Sequence, residues 1–240
     1  AIGDRLFDVA CLYVSLPDPN HKTLFGQMPM VEVMHGIRLK IEEGTVVGLV
    51  GESGSGKSTL GRALVRLLDP VSGSIRFAGT DITWLDEKAL RPLRRDLQVI
   101  FQDPLSALNP RLTIGTIIGR PVQLHGLAGT RRAALKLAHA APEMVGLPTA
   151  FAARYPHELS GGQRQRVGIA RAIATRPRFV LADEIVSGLD VSSQAQILTL
   201  LADLKKDLGL TIVFISHDLS VVRRLCDQVV VLRHGEILEN

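Results

Sequence analysis

The chain has 240 residues, 46% of them apolar, which is enough to pack a core and too many for a disordered chain. Its 28 Lys and Arg against 24 Asp and Glu give a net charge of +4 that is scattered along the chain, and aromatic residues are only 4%, so no nucleic-acid partner is expected. Charged residues interrupt every apolar stretch before the ~18–20 residues of a spanning helix, and Cys11 and Cys226 have no metal or redox spacing, which points to a soluble chain in a reducing setting.

The first stretch, to about residue 45, holds β-like segments broken at Pro17, Asp18, Pro19 and Asn20, which predicts antiparallel strands joined by a long loop. Val46 to Val50, Leu97 to Phe101, Phe179 to Asp183, Thr211 to Ile215 and Gln228 to Leu232 read as strands, apolar without polar alternation. Such runs fit strands buried on both faces of a parallel sheet. After the first of them, Leu60, Leu64, Leu67 and Leu68 share a helical stripe that Pro70 is expected to close. Arg91, Arg94 and Arg95 read as a solvated face beside a helix. Residues 104–177 read as helical, with an Ala-rich piece from Arg131 to Val145. A further helix is predicted from Val191 to Leu208, with Ile197, Leu200, Leu201 and Leu204 inward, making residues 179–215 a βαβ unit. The expected fold is α/β: one domain over 1–240, with a mainly parallel sheet core and antiparallel β N-terminal region (1–103 and 178–240) and an inserted α-helical subdomain (104–177).

The sharpest motif is Gly51-Glu52-Ser53-Gly54-Ser55-Gly56-Lys57-Ser58-Thr59, placed between a strand and a helix. Its glycines let backbone N–H groups curl around phosphate oxygens, and the helix N-terminus adds partial positive charge. Lys57 reaches β- and γ-phosphates and the Ser58 hydroxyl ligates Mg2+ in such a P-loop, which makes the core a P-loop NTPase sheet that binds ATP. Phe179-Val180-Leu181-Ala182-Asp183-Glu184 ends a strand in two carboxylates. Asp183 is placed to hold Mg2+, and Glu184 to orient or deprotonate an attacking water.

Leu159-Ser160-Gly161-Gly162-Gln163-Arg164-Gln165-Arg166 lies late in the helical region, before the Asp-Glu strand. Ser160 can cap a helix whose inner stripe includes Val167, Ala170 and Ala174. With this stretch beside the P-loop, the sequence resembles the ATP-binding-cassette (ABC) ATPases over nearly its whole length. The resemblance implies a head-to-tail dimer, in which Ser160, Gly161, Gly162 and Gln163 of one subunit close on the γ-phosphate held by the P-loop of the other. It also implies that Gln102 is the Q-loop residue near the γ-phosphate and Mg2+, that His217 is the switch histidine, and that Asp190 ends a D-loop, Ser187-Gly188-Leu189-Asp190. Catalysis would then rest on Glu184, His217 and Lys57.

Phe101-Gln102-Asp103-Pro104-Leu105-Ser106-Ala107-Leu108-Asn109-Pro110-Arg111 is similar, more narrowly, to the extended Q-loop of oligopeptide, dipeptide and nickel importer ATPases. That likeness implies an ATP-hydrolysing subunit at the cytoplasmic face of a bacterial membrane, paired with a second ATPase subunit beneath two permeases and served by an external solute-binding protein. Other readings are a soluble ABC ATPase acting outside transport and a weakly hydrolysing regulatory partner. Three positions depart from the family pattern: Leu16 stands where an aromatic stacks on adenine, with Tyr13 three residues earlier; Ile185 stands where proline usually follows the glutamate; and Gly188 replaces an alanine. Ile185 is expected to loosen Glu184 or the D-loop. Ala1 and Asn240 leave open an upstream segment and a longer polypeptide.

Overall fold

The computed structural model describes residues 5–17, 30–130, 132, 133, 136 and 140–239. The chain divides into two compact units, Ala1–Leu90 with Val213–Asn240, and Arg91–Ile212.

In the first unit, β1 (Arg5–Pro17) pairs antiparallel with β2 (Met30–Glu42) on one edge and β4 (Ser72–Phe77) on the other, and β4 turns into β5 (Thr80–Asp81). Phe7 and Phe77 face each other across the β1–β4 register, both buried, with ring centroids 5.1 Å apart. Such an aromatic pair pins the register in a way single aliphatic contacts do not. The β1–β4 register shifts between Ala10 and Tyr13, so the backbone is irregular at Tyr13; the side chains of Tyr13 and Leu16, and residues 18–20, lie outside the described residues.

All five residues of β3 (Val46–Val50) are buried, as expected for a strand covered on both faces. It runs parallel to β9 (Gln228–Arg233), which pairs antiparallel with β10 (Glu236–Glu239). A Cβ on Gly48 would lie 2.7 Å from Val222 Cγ1 and 2.9 Å from Cys226 Sγ, so the glycine lets the helix Leu219–Leu225 settle onto β3.

The first helix corrects the leucine-stripe reading. α1 spans Lys57–Leu64 and stops there, well before Pro70. Arg66 turns into the left-handed region at φ 54°, and its guanidinium, 6% exposed, donates to Ile82 O (2.9 Å), Leu85 O (3.1 Å) and the Asp69 carboxylate. A buried cation needs such partners, and meeting them costs the helix its last turn. Leu67 is consequently 48% exposed. The unit's remaining helix before the crossing is α2 (Glu87–Leu90).

In the second unit β6 (Leu97–Ile100) runs parallel to β7 (Phe179–Asp183), Leu97 opposite Phe179 and Ile100 opposite Ala182. β6 ends one residue short of the expected strand, and Phe101 is 39% exposed. The stretch 104–177 lies wholly inside this unit; its described residues include no strand and carry α3 (Pro104–Ala107), α4 (Ile114–Leu124), α5 (Gly161–Ile173) and short 3-10 turns. Most of the Ala-rich piece from Arg131 to Ala140 lies outside the described residues. α6 (Val191–Leu208) matches its expected span, but its buried face is Ile197, Leu198, Leu201 and Leu204. Leu200 is instead half-buried beside a groove, so Leu198 takes its place while the other three expected positions are kept. β8 (Thr211–Ile215), buried throughout, carries the chain back to the first unit. Among the described residues no helix is long and apolar enough to cross a membrane.

Candidate functional site

The loop from Gly51 to Thr59 leaves β3 and enters α1, both in the first unit. A Cβ on Gly51 would sit 2.1 Å from Leu232 O and 2.7 Å from Ser55 Oγ, with φ +151°, so only glycine lets the loop pass β9 this closely. Ser55, 3% exposed, is clamped within the loop: its N–H donates to Glu52 O (3.2 Å) and its carbonyl accepts from Gly235 N (3.1 Å). Gly56 takes φ 99° as the residue before α1, and Leu60 N donates back to its carbonyl at 2.8 Å. Glu52, Ser53 and Gly54 are exposed, and Ser58 and Thr59 half-buried at the first turn of α1.

Lys57 is only 5% exposed. Its ammonium donates to Gly51 O (2.9 Å) and Glu52 O (2.7 Å) and lies 3.5 Å from Ser55 Oγ. A buried ammonium needs hydrogen-bond acceptors, and here they are supplied by the loop itself. In the same unit, Ser216 N donates to Leu49 O at 3.3 Å, which ties the turn carrying His217 to the end of β3. His217 is exposed, and the next residue, Asp218, caps the helix Leu219–Leu225 by accepting from Ser220 N (2.8 Å) and Ser220 Oγ (2.6 Å). The Ser220 bonds, with a smaller contribution from His217, hold the Asp218 carboxyl below the ordinary range.

The second unit holds the acidic and signature residues. Asp183 closes β7 at 4% exposure, and Glu184 follows half-buried in the left-handed region at φ 48°. A non-glycine residue there carries about 1–2 kcal/mol of local strain. Ser187 N donates to Glu184 O at 3.0 Å, and Ile185 and Val186 are 1% and 4% exposed, so apolar burial and a closed turn hold that conformation. The segment at Ile185 is anchored by its side chain. Gly188 has φ +74°, a position where glycine is the unstrained choice. Gln102 Nε2 donates to Glu184 Oε2 at 3.0 Å, a pairing across 82 residues that no local sequence pattern signals.

Ser160 caps α5 in a reciprocal box: its Oγ accepts from Gln163 N (3.3 Å) and its N–H donates to Gln163 Oε1 (3.0 Å). Val167 and Ala170 are buried as expected, while Ala174 is the C-cap. Gly161 and Gly162 form the first turn, and a Cβ on Gly162 would come within 3.3 Å of Ser193 Oγ. Asp190 caps α6, accepting from Ser193 N (2.9 Å) and Ser193 Oγ (2.7 Å), and these bonds depress its carboxyl pKa. Arg166 adds a strap the motif reading missed, donating to Val145 O (2.6 Å) and Gln196 Oε1 (2.8 Å) and so linking α5 to α6.

The profile of a family described as "ABC transporter" matches residues 34–187. The chain is 49% identical over 214 residues to YkfD of Bacillus subtilis (strain 168), covering 89% of this chain and 65% of YkfD. It is 47% identical over 210 residues to the oligopeptide transport ATP-binding protein AppF of the same organism, covering 87% of this chain and 64% of AppF. It thus spans about two thirds of the length of these curated relatives. Among solved structures, the ATP-binding cassette MJ0796, a dimer in a post-hydrolysis state bound to ADP and Pi, superposes with a TM-score of 0.85 at 30% identity over 97% of each chain. A profile match over more than half the chain and a fold likeness over nearly all of it agree, and the chain belongs to the ABC transporter family.

Proposed function

We propose that the chain binds and hydrolyses ATP to energise an importer of peptides or a related small solute. The observation that carries this reading is the Gly51–Thr59 loop, with the buried Lys57 ammonium gathered onto it at the start of α1. A glycine-rich loop, a helix N-terminus and a fixed cation together suit a triphosphate. The peptide cargo is supported by the name of AppF, and a paired arrangement by the dimeric MJ0796.

In this reading residues 51–59 hold the phosphates, and Lys57 neutralises charge on the β- and γ-phosphates. Ser160, Gly161, Gly162 and Gln163 of a facing subunit close on the γ-phosphate, with Asp190 at that interface. Glu184 accepts a proton from the attacking water; its bond from Gln102 orients the carboxylate for that task. His217 stabilises the charge that develops on the transferred group. A hydroxyl, an amide oxygen and a carboxylate are hard donors that suit Mg2+, so Ser58, Gln102 and Asp183 fit it as ligands. When bound, Mg2+ supplies further neutralisation of the phosphate oxygens. The chain acts as one cassette whose helical part, 104–177, faces two permeases at the cytoplasmic side of a bacterial membrane, downstream of an external binding protein.

The test is Mg-ATPase rate against protein concentration, for the chain and for Glu184→Gln. A rate rising more steeply than linearly and lost in the variant is the expected result. An unchanged rate in Glu184→Gln overturns the role given to Glu184, and failure of the chain to bind ATP overturns the whole reading.

A further inference from the structure

Away from the phosphate loop, a groove of about 500 Å3 opens in the second unit between α5 and α6, lined by Gly146, Arg166, Gln196, Thr199, Leu200 and Asp203. Its floor is one face of α6: Gln196 and Leu200 are four residues apart, as are Thr199 and Asp203, so their side chains rise on the same side. Arg166, from α5, flanks this face beside Gln196, and Asp203 closes its other end.

At one end the Arg166 guanidinium is fixed by Val145 O and Gln196 Oε1. It lies so close to the backbone that a Cβ on Gly146, itself at φ +67°, would come within 2.9 Å of its Nη1. A guanidinium has five N–H donors, and these two bonds use two of them. At the other end Asp203 is exposed and makes no ion pair among the described residues. Gln196 and Asp203 are seven residues apart, about 10 Å along a helix axis at 1.5 Å per residue. An extended peptide spans about 3.3–3.6 Å per residue, so three residues place their terminal charges about 10 Å apart.

We propose that this groove binds a short zwitterionic peptide of about three residues, its terminal carboxylate on Arg166 and its terminal ammonium on Asp203, with Thr199 and Leu200 along its middle. The reading rests on peptide import only for the class of ligand. A simple anion site at Arg166 is the competing outcome, and the two differ in whether the ammonium end matters.

The test titrates the chain with trialanine, N-acetyl-trialanine, trialanine amide and acetate, followed by backbone amide chemical shifts. Trialanine is expected to bind saturably with shifts at Gly146, Gln196 and Thr199, and blocking either terminus to weaken it by about fivefold, as for a half-exposed charged contact. In Asp203→Asn trialanine should bind as weakly as the acetylated peptide does, and acetylation should then cost nothing further. ATP affinity, unchanged in that variant, reports an intact fold. The proposal is overturned if acetate binds as well as trialanine, if acetylation makes no difference to the unmodified chain, or if Asp203→Asn leaves affinity unaltered. No ATP turnover enters these readings, so their failure and that of the ATPase test are separate.

Discussion

Two glycines of the phosphate loop separate lack of space from lack of conformational freedom. At Gly54, with φ +80° and nothing within 4 Å of an added Cβ, alanine meets only the backbone penalty, about 1 kcal/mol. At Gly51 the φ is also positive, but the new Cβ would stand 2.1 Å from Leu232 O and 2.7 Å from Ser55 Oγ. Both neighbours are fixed, one in β9 and the other in a serine buried to 3%, so the loop has to move by about 1 Å or more and lose its fit. Overpacking of this kind costs about 1–3 kcal/mol in addition to the backbone term, giving about 2–4 kcal/mol for Gly51→Ala. Urea unfolding followed by circular dichroism reads the difference. With a slope of about 3 kcal/mol per molar urea, the midpoint should fall by about 1 M for Gly51→Ala and by a few tenths for Gly54→Ala. ATP affinity should fall much further in the first variant. Equal midpoints for the two would refute the argument that contact with Leu232, and not positive φ alone, reserves position 51 for glycine.

Gly188→Ala has room for its methyl group but not the backbone freedom, so it should lower stability by about 1 kcal/mol, read by the same unfolding curve. Arg171, half-buried, donates to Ala107 O at 2.6 Å, and burial holds its pKa below the usual arginine value; Arg171→Ala strands that carbonyl and should cost about 1–3 kcal/mol in thermal or urea unfolding. Asp190 and Asp218 both have pKa values depressed by their serine partners, so the stabilisation from their caps is complete above the unfolded-state value of about 4 and is lost as pH falls through the lower folded values. Melting temperature against pH should therefore decline less steeply below about pH 4 in Asp190→Asn, and an unchanged slope would contradict the assignment.

The parallel strands were legible because a strand covered on both faces is apolar without polar alternation, and β3, β7 and β8 have the bounds read from such stretches. Ser160 was legible as a cap because its partner, Gln163, is three residues away. Contacts made across the fold were not. Nothing around Leu67 announces that Arg66 will turn away from the helix to reach Ile82 and Leu85, and nothing around Gln102 announces a bond to Glu184. The Arg166–Gln196 strap spans 30 residues for the same reason. The reading of Ile185 weighed the missing proline for its backbone rigidity alone, and no local pattern announced that the isoleucine side chain would be buried to 1% exposure.

The Arg66 clamp also gives the chain a built-in optical reporter. Arg66, two residues beyond the end of α1, grips the carbonyls of Ile82 and Leu85, and one of the two residues between those carbonyls, Trp84, is the only tryptophan in the sequence and 64% exposed. A shift of α1 would pull on the backbone that carries this indole, and a change in intrinsic fluorescence when ATP is added is the expected sign of it.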